Sequence, residues 1–225
     1  MNTALRTEEK PLSDVIRDRR ATDHFKPDPV APRDLEQILR AGLEAPSGYN
    51  LQPWRFIVVR SDPQKQKLKA AAMNQPKVGE APVVIVACGD PAGWKNGDMD
   101  ETFRLAAENG YGGPAQHEAA KKSITGFLGG TLGDAGGLAP DLGLWVNRHV
   151  MIAFTHMMLM AEALGYDTAP MEGFFESKVR EALEIPAHVR VVALLAIGQR
   201  EGDDKKYGGR FPLSRTVFFE RWEGK

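Results

Sequence analysis

A single cysteine in 225 residues, Cys88, excludes an intramolecular disulfide, and its place in the apolar run Val83 to Cys88 predicts a buried thiol. No charge of one sign prevails. With 29 Lys and Arg against 30 Asp and Glu, the chain carries no overall field for nucleic acid or an anionic membrane, and neither is expected as a partner. One local basic site for a single phosphate stays open. No apolar run reaches the roughly 20 residues of a spanning helix, because the most apolar helical stretch, Val150 to Gly165, is broken by Thr155, His156 and Glu162. The segment Met1 to Lys10 mixes charges of both signs without an apolar core, so no signal peptide is expected there and a cytoplasmic location is. The chain also lacks a G-x-S-x-G nucleophile motif, a P-loop and a G-x-G-x-x-G fingerprint in strand-to-helix context. His149 and His156 share a helical face without a Cys or carboxylate cluster at ligand spacing, so no metal site is expected.

What is present suits one globular domain over residues 11–222, with 42% hydrophobic and 26% charged residues and enough length for a substantial core. Leu12, Val15 and Ile16 recur at helical spacing after Pro11. A second helix starts at Pro32 and lines Leu35, Ile38, Leu39, Gly42 and Leu43 along one face. Strands are expected at residues 55–59, 83–88 and 189–197, the last continuous enough to be buried on both faces. A Lys- and Ala-rich helix runs from Ser61-Asp62-Pro63 to Met73. Trp145 to Leu164 is the longest helix, apolar nearly all round and stopped by Gly165; such a helix fills a domain centre or a subunit interface. Tyr166 to Phe174 reads as a short strand and a turn into another helix. Residues 90–144 are least like a compact core, with Gly-Gly pairs, one amphipathic piece around Gln116 to Leu128, and Trp94, Phe103, Tyr111 and Phe127 as candidate pocket walls.

The chain is organised around Ala45 to Val59, where a periodic helix stops at Pro46, a loop of small and amide-bearing residues follows, and a β-type run begins. Ser47, Asn50 and Gln52 can each donate and accept, and Gly48 lets the backbone approach a ligand closely. That suits a planar heterocycle with a polar edge. Arg17-Asp18-Arg19-Arg20 forms a compact cationic end on the first helix. It is either a solvated helix end favoured by the dipole or a fork for a phosphate. A second basic position, Arg210, lies far away in sequence, and Gly173 offers another close approach. Together these features could bind a phosphorylated planar cofactor.

The spacing Pro46-Ser47-x-x-Asn50-x-Gln52-Pro53-Trp54 resembles the FMN-dependent nitroreductase family, and matches in family order extend over about residues 12–222. The resemblance implies an α+β, three-layer fold with a central, mostly antiparallel sheet flanked by helices. It implies an intertwined homodimer with FMN between the two chains, the long helix at the interface, a variable lid at about 90–144, and a tail at about 211–225 packing on the partner subunit. It assigns Arg19, Arg20 and Ala21 to the FMN phosphate and ribityl chain, Asn74 to the pyrimidine, and the loop Pro46, Ser47, Gly48, Asn50, Gln52 to the cofactor. Pro170, Met171, Glu172 and Gly173 would approach flavin N5, and Arg210 would be the second basic position at the phosphate. Three departures stand out. Ala21 replaces the usual hydroxyl, Asp23 lies where many relatives carry Lys or Arg near the ring, and Gly208 sits at the first basic position, for which Lys205 or Lys206 would substitute. A carboxylate at Asp23 is expected to lower the flavin potential.

The activity implied is a ping-pong hydride transfer from NAD(P)H through flavin N5 to a nitroaromatic, quinone or similar acceptor, with no side-chain nucleophile or general base. Two other readings keep the same motifs: a non-catalytic flavin-binding or storage protein, and a same-fold oxidoreductase dedicated to one metabolite, such as a dehalogenase or ring dehydrogenase.

Overall fold

The structure is a computed structural model and describes residues 10–130 and 141–222. Four strands form one sheet: β1 (Trp54–Val59), β2 (Val83–Gly89), β3 (Asp167–Met171) and β4 (Arg190–Gly198). Their order is β1-β2-β4-β3 and every pairing is antiparallel. β1 and β3 are therefore the two edges, and the expected mostly antiparallel sheet is found.

The two central strands are apolar without alternation because both faces are covered. Val83, Ile85 and Ala87 of β2 point to one core, while Val84, Val86 and Cys88 point to the other. That is the two-residue period of a strand dividing its side chains between layers. In β4 the register shifts opposite Ala87 and Cys88, so that Ala193 and Val191 pair with successive residues of β2. This bulge reverses the alternation and sends Val191 to the face opposite Ala193. Burial pushes the Cys88 thiol up to about 12.

One outer layer contains α2 (Pro32–Leu43) and α7 (Leu142–Ala163); the other contains α3 (Asp62–Ala71), α4 (Pro76–Glu80) and α8 (Glu176–Leu183). The helix α7 starts at Asp141, whose side chain accepts from the Leu144 N–H, and ends before Gly165 at φ 77°. Its Val146, Val150, Ala153, Phe154 and Met157 are buried, and a Cβ on Gly89 would stand 2.0 Å from Val146, so only glycine lets the end of β2 meet this helix.

One expectation needed revision. Residues 90–130 are mainly helical, with α5 (Asp98–Glu108) and α6 (Pro114–Leu128); the stretch 131–140, with Gly136-Gly137, lies outside the described residues. The amphipathic piece around Gln116 to Leu128 is α6, which buries Ile124 and Leu128, while α5 leaves little pattern in the sequence because Thr102 is its one buried residue. Trp94 belongs to the core, whereas Tyr111 is exposed. The first helix, α1 (Leu12–Asp18), buries only Val15 and leaves Leu12 and Ile16 at 65% and 60% exposure. Its apolar face is largely uncovered in the single chain.

Candidate cofactor site at two edges of the sheet

The residues singled out in the sequence fall into two groups on opposite edges. The first gathers at β3. Arg19 caps α1, and the strand-like segment after it is sewn to the sheet by a bridge from Ala21 to Thr168, by the Thr22 N–H to Thr168 O at 3.0 Å, and by Lys26 N–H to Gln199 O at 2.8 Å. Ala21 thus serves through its backbone. The carboxylate of Glu80, the last residue of α4, accepts from the Phe25 N–H at 3.4 Å and lies 3.1 Å from His24 Nδ1, which holds the end of α4 alongside this segment.

Beyond β3 the chain turns at Glu172 and Gly173, both exposed. Gln75 Nε2 donates to Gly173 O at 2.8 Å and the Phe175 N–H donates to Ala71 O at 2.9 Å, which ties this turn to the end of α3. Asn74 stands there at φ 55°, its N–H closing the helix end on Lys69 O at 3.0 Å. Pro170 is half-buried, and the Met171 side chain lies in the core at 5% exposure, so at this turn Met171 has only its backbone to offer a ligand.

Charge defines this edge. Arg20 and Arg210 lie over the ring of Tyr207, with Cζ 4.8 Å and 5.6 Å from its centre. Burial holds the Arg19 guanidinium below its ordinary range; Glu162 opposes that shift, and Arg210 and Arg20 add to it. Arg19 Nη1 is buried without a hydrogen-bond partner among the described residues. Asp23 is not an isolated carboxylate, because Lys205 Nζ lies 2.7 Å away and Lys77 Nζ 3.9 Å. The hydrogen bond from Lys205, chiefly, keeps its carboxyl below the usual 3.8. Lys205 is therefore engaged with Asp23.

The second group precedes β1. Tyr49, Asn50 and Gln52 all adopt the left-handed region, at φ 56°, 56° and 46°. Such a backbone costs roughly 1–2 kcal/mol per non-glycine residue. Offsetting it, the Gln52 N–H donates to Ser47 Oγ at 2.9 Å, the Asn50 N–H to Ser47 O at 3.0 Å, and Thr102 Oγ1 of α5 to Asn50 O at 3.1 Å. Each bond contributes about 0.5–1.5 kcal/mol, and burial of Leu51 about 1.5–3 kcal/mol more. The loop is thereby held with its Asn50 side chain exposed. A Cβ on Gly48 would lie 3.2 Å from both Trp145 and His149, so α7 limits what this position can carry. Pro46 is exposed at the end of α2, while Pro53 and Trp54 are buried. A cavity of about 260 Å³ opens beside the loop between Leu51, Gln52, Arg55, Asp98 and Thr102.

β4 and β2 lie between the edges, so about 14 Å, three strand spacings, separates β3 from β1. Within one chain the structure joins Arg19, Arg20, Ala21, Asp23, Asn74, Glu172, Gly173 and Arg210, and it keeps the 46–52 loop apart from them. Four residues at these edges escaped the sequence reading. Gln75 and Lys77 lie within three residues of Asn74, and Tyr207 within three of Arg210, so each carried a signal of proximity; Thr102 gave none, since its contact with Asn50 spans 52 positions.

No group of three or more His, Cys, Asp or Glu able to hold a metal occurs among the described residues, and no helix among them is long and apolar enough to cross a membrane.

Comparison with known proteins agrees with this architecture. The sequence profile of the Nitroreductase family matches residues 16–127 and 139–199. The chain is 33% identical over 201 residues to an NADH dehydrogenase of Thermus thermophilus, covering 89% of this chain and 92% of that protein. It is 30% identical over 212 residues to Protein DrgA of Synechocystis, covering 91% and 93%. A crystal structure of an FMN complex from Exiguobacterium sibiricum superposes with a TM-score of 0.84 at 24% identity, over 95% of this chain and 99% of that one. A profile match over most of the chain and a relative one-third identical over nearly its full length together establish that this protein belongs to the Nitroreductase family.

Proposed function

We propose that the chain is an FMN-dependent oxidoreductase that draws electrons from NAD(P)H and passes them to small oxidised acceptors of the nitroaromatic or quinone class, each FMN held between two copies of the chain. The observation that carries this reading is Arg19. A buried donor without an acceptor costs about 1–3 kcal/mol, and Arg19 Nη1 is such a donor, flanked by two further arginines. A phosphate monoester supplies the oxygens that this cluster lacks, so the residues present fit FMN.

Arg19, Arg20 and Arg210 would hold the phosphate. Gly173, without a side chain, would let the backbone come against the ring, beside Glu172, with Asn74 at the pyrimidine edge. Bound there, FMN supplies the two-electron chemistry between nicotinamide and acceptor. The amide loop 46–52 would close the ring from the second copy of the chain, because in its own chain it faces the other edge of the sheet.

Uncovered apolar surface supports the pairing. Leu12, Ile16 and Leu43 are exposed, and a groove of about 570 Å³ runs between Leu12, Val15, His156, Leu159 and Met160. In the tail, Phe211, Leu213, Phe219 and Trp222 are at least 65% exposed, which suits packing on a partner subunit; residues 223–225 lie outside the described residues.

A subunit-mixing experiment tests the shared site. Arg19→Ala/Arg210→Ala disables one edge and Asn50→Ala/Gln52→Ala the other. Each variant alone is expected to lose tight FMN binding. Refolded together they should regain about a quarter of the wild-type sites, since random twofold pairing gives half heterodimers with one intact site of two. No recovery would place all the FMN contacts within one chain and refute the arrangement.

A further inference from the structure

Guanidinium groups gathered at one place repel one another, and clusters of this kind are commonly held by carboxylates. Arg20 and Arg210 have no carboxylate within ion-pair distance among the described residues. Arg20 Nη1 donates to Arg17 O at 2.7 Å and to Arg19 O at 3.0 Å, and Arg210 Nη1 donates to Gly209 O at 2.6 Å. Those bonds use one nitrogen of each fork. What the two groups share is the ring of Tyr207, within 6 Å of both, the range in which a cation is attracted to an aromatic face. Gly209, at φ 83°, provides the left-handed turn between Tyr207 and Arg210.

We infer that Tyr207 is the positioning residue of the cationic cluster: its ring holds Arg20 and Arg210 together and so sets the protein's preference for a flavin that ends in a phosphate. The inference rests on the reading of Arg19, Arg20 and Arg210 as the phosphate end of the FMN site. The physical advantage of a ring over a carboxylate lies in which donors remain. A carboxylate would take the paired N–H groups of each fork and cancel its charge. An aromatic face attracts the guanidinium through its quadrupole and leaves the in-plane N–H groups for phosphate oxygens. This also gives the Gly208 departure a local context. The first basic position of the family pattern is missing, and the residue before it contributes a ring that gathers two arginines already present.

The test is a flavin-fluorescence titration of the full chain with FMN and with riboflavin, which lacks the phosphate. Tyr207→Phe keeps the ring and is expected to stay within about 2-fold of wild type for both ligands. Tyr207→Ala and Tyr207→Leu remove it and are expected to weaken FMN roughly 5- to 30-fold while leaving riboflavin unchanged. Tyr207 is exposed, so neither variant should disturb folding, and Leu controls for bulk. Equal losses for both flavins, full FMN affinity in Tyr207→Leu, or a loss in Tyr207→Phe as large as in Tyr207→Ala would each overturn the inference. A wild-type protein that binds riboflavin as tightly as FMN would instead defeat the phosphate reading itself, before any variant is made.

Discussion

The two edges of the sheet are built from opposite materials. At β3, Arg19, Arg20, Arg210, Lys77, Lys205 and Asp23 make an edge of charge, assembled from three stretches of chain that lie far apart in sequence. At β1, the 46–52 loop carries no charge; it is an edge of shape, one continuous stretch whose strained backbone is held by its own hydrogen bonds and by Thr102. An anion needs charge more than precision of angle, and charge can be gathered from anywhere the fold permits. The polar rim of a heterocycle needs donors and acceptors at fixed angles, and a short stiff loop provides those.

This contrast can be broken at several points. The largest effect is expected from deleting residues 211–225, since each large apolar side chain that a partner covers contributes roughly 1.5–3 kcal/mol. If two edges from two chains make one site, light scattering should show the truncated protein shifted to monomer, and FMN should be lost with the dimer. A folded monomer that keeps FMN would mean that one chain suffices.

Next come single changes at each edge. Arg19→Ala should weaken FMN by roughly 10- to 150-fold, the range for a charge-assisted bond of about 1.5–3 kcal/mol, with a strong dependence on salt. Thr102→Val, which frees the Asn50 carbonyl, should cost about 0.5–1.5 kcal/mol, with little dependence on salt. Titrations at two ionic strengths measure both. Equal salt sensitivity at the two edges would erase the distinction between charge and shape.

The smallest effect concerns Asp23. Its pairing with Lys205 and Lys77 offsets the negative charge that the family resemblance implies beside the ring. Asp23→Asn should therefore raise the potential of bound FMN by only about 10–20 mV, the two-electron equivalent of roughly 0.5–1 kcal/mol; potentiometry showing a rise several times larger would mean that the two lysines do not offset it. The pH dependence has a definite sign. The carboxyl is held below its usual 3.8, so its contribution to stability is complete above 3.8 and disappears as pH falls through the lower folded value. The stabilities of wild type and Asp23→Asn should therefore differ above 3.8 and converge as pH falls through that lower value.

Much of this molecule was legible in the chain itself. The strands β1, β2 and β4 begin and end within a residue of where β-branched runs and flanking Pro and Gly place them, because a strand buried on both faces is a local compositional fact. The long helix α7 and its stop at Gly165 are local facts of the same kind. The amide loop could be read for the same reason, since its chemistry lies within seven consecutive residues. The helix α5 was not legible, because Thr102 is its one buried residue, whereas α6 showed as the amphipathic piece around Gln116 to Leu128.

By itself, then, the sequence determined the layers, the apolar centre of the sheet, the family, and the kinds of residue available to a phosphorylated planar ligand. Only the tertiary structure decided that Lys205 and Lys77 flank Asp23, that Arg20 and Arg210 meet over Tyr207, and that the amide loop stands at the far edge from the arginines. The physical reason is reach. Propensity and periodicity act over a few residues, whereas ion pairs, ring contacts and strand order join positions up to nearly two hundred residues apart and exist only once the chain has closed on itself.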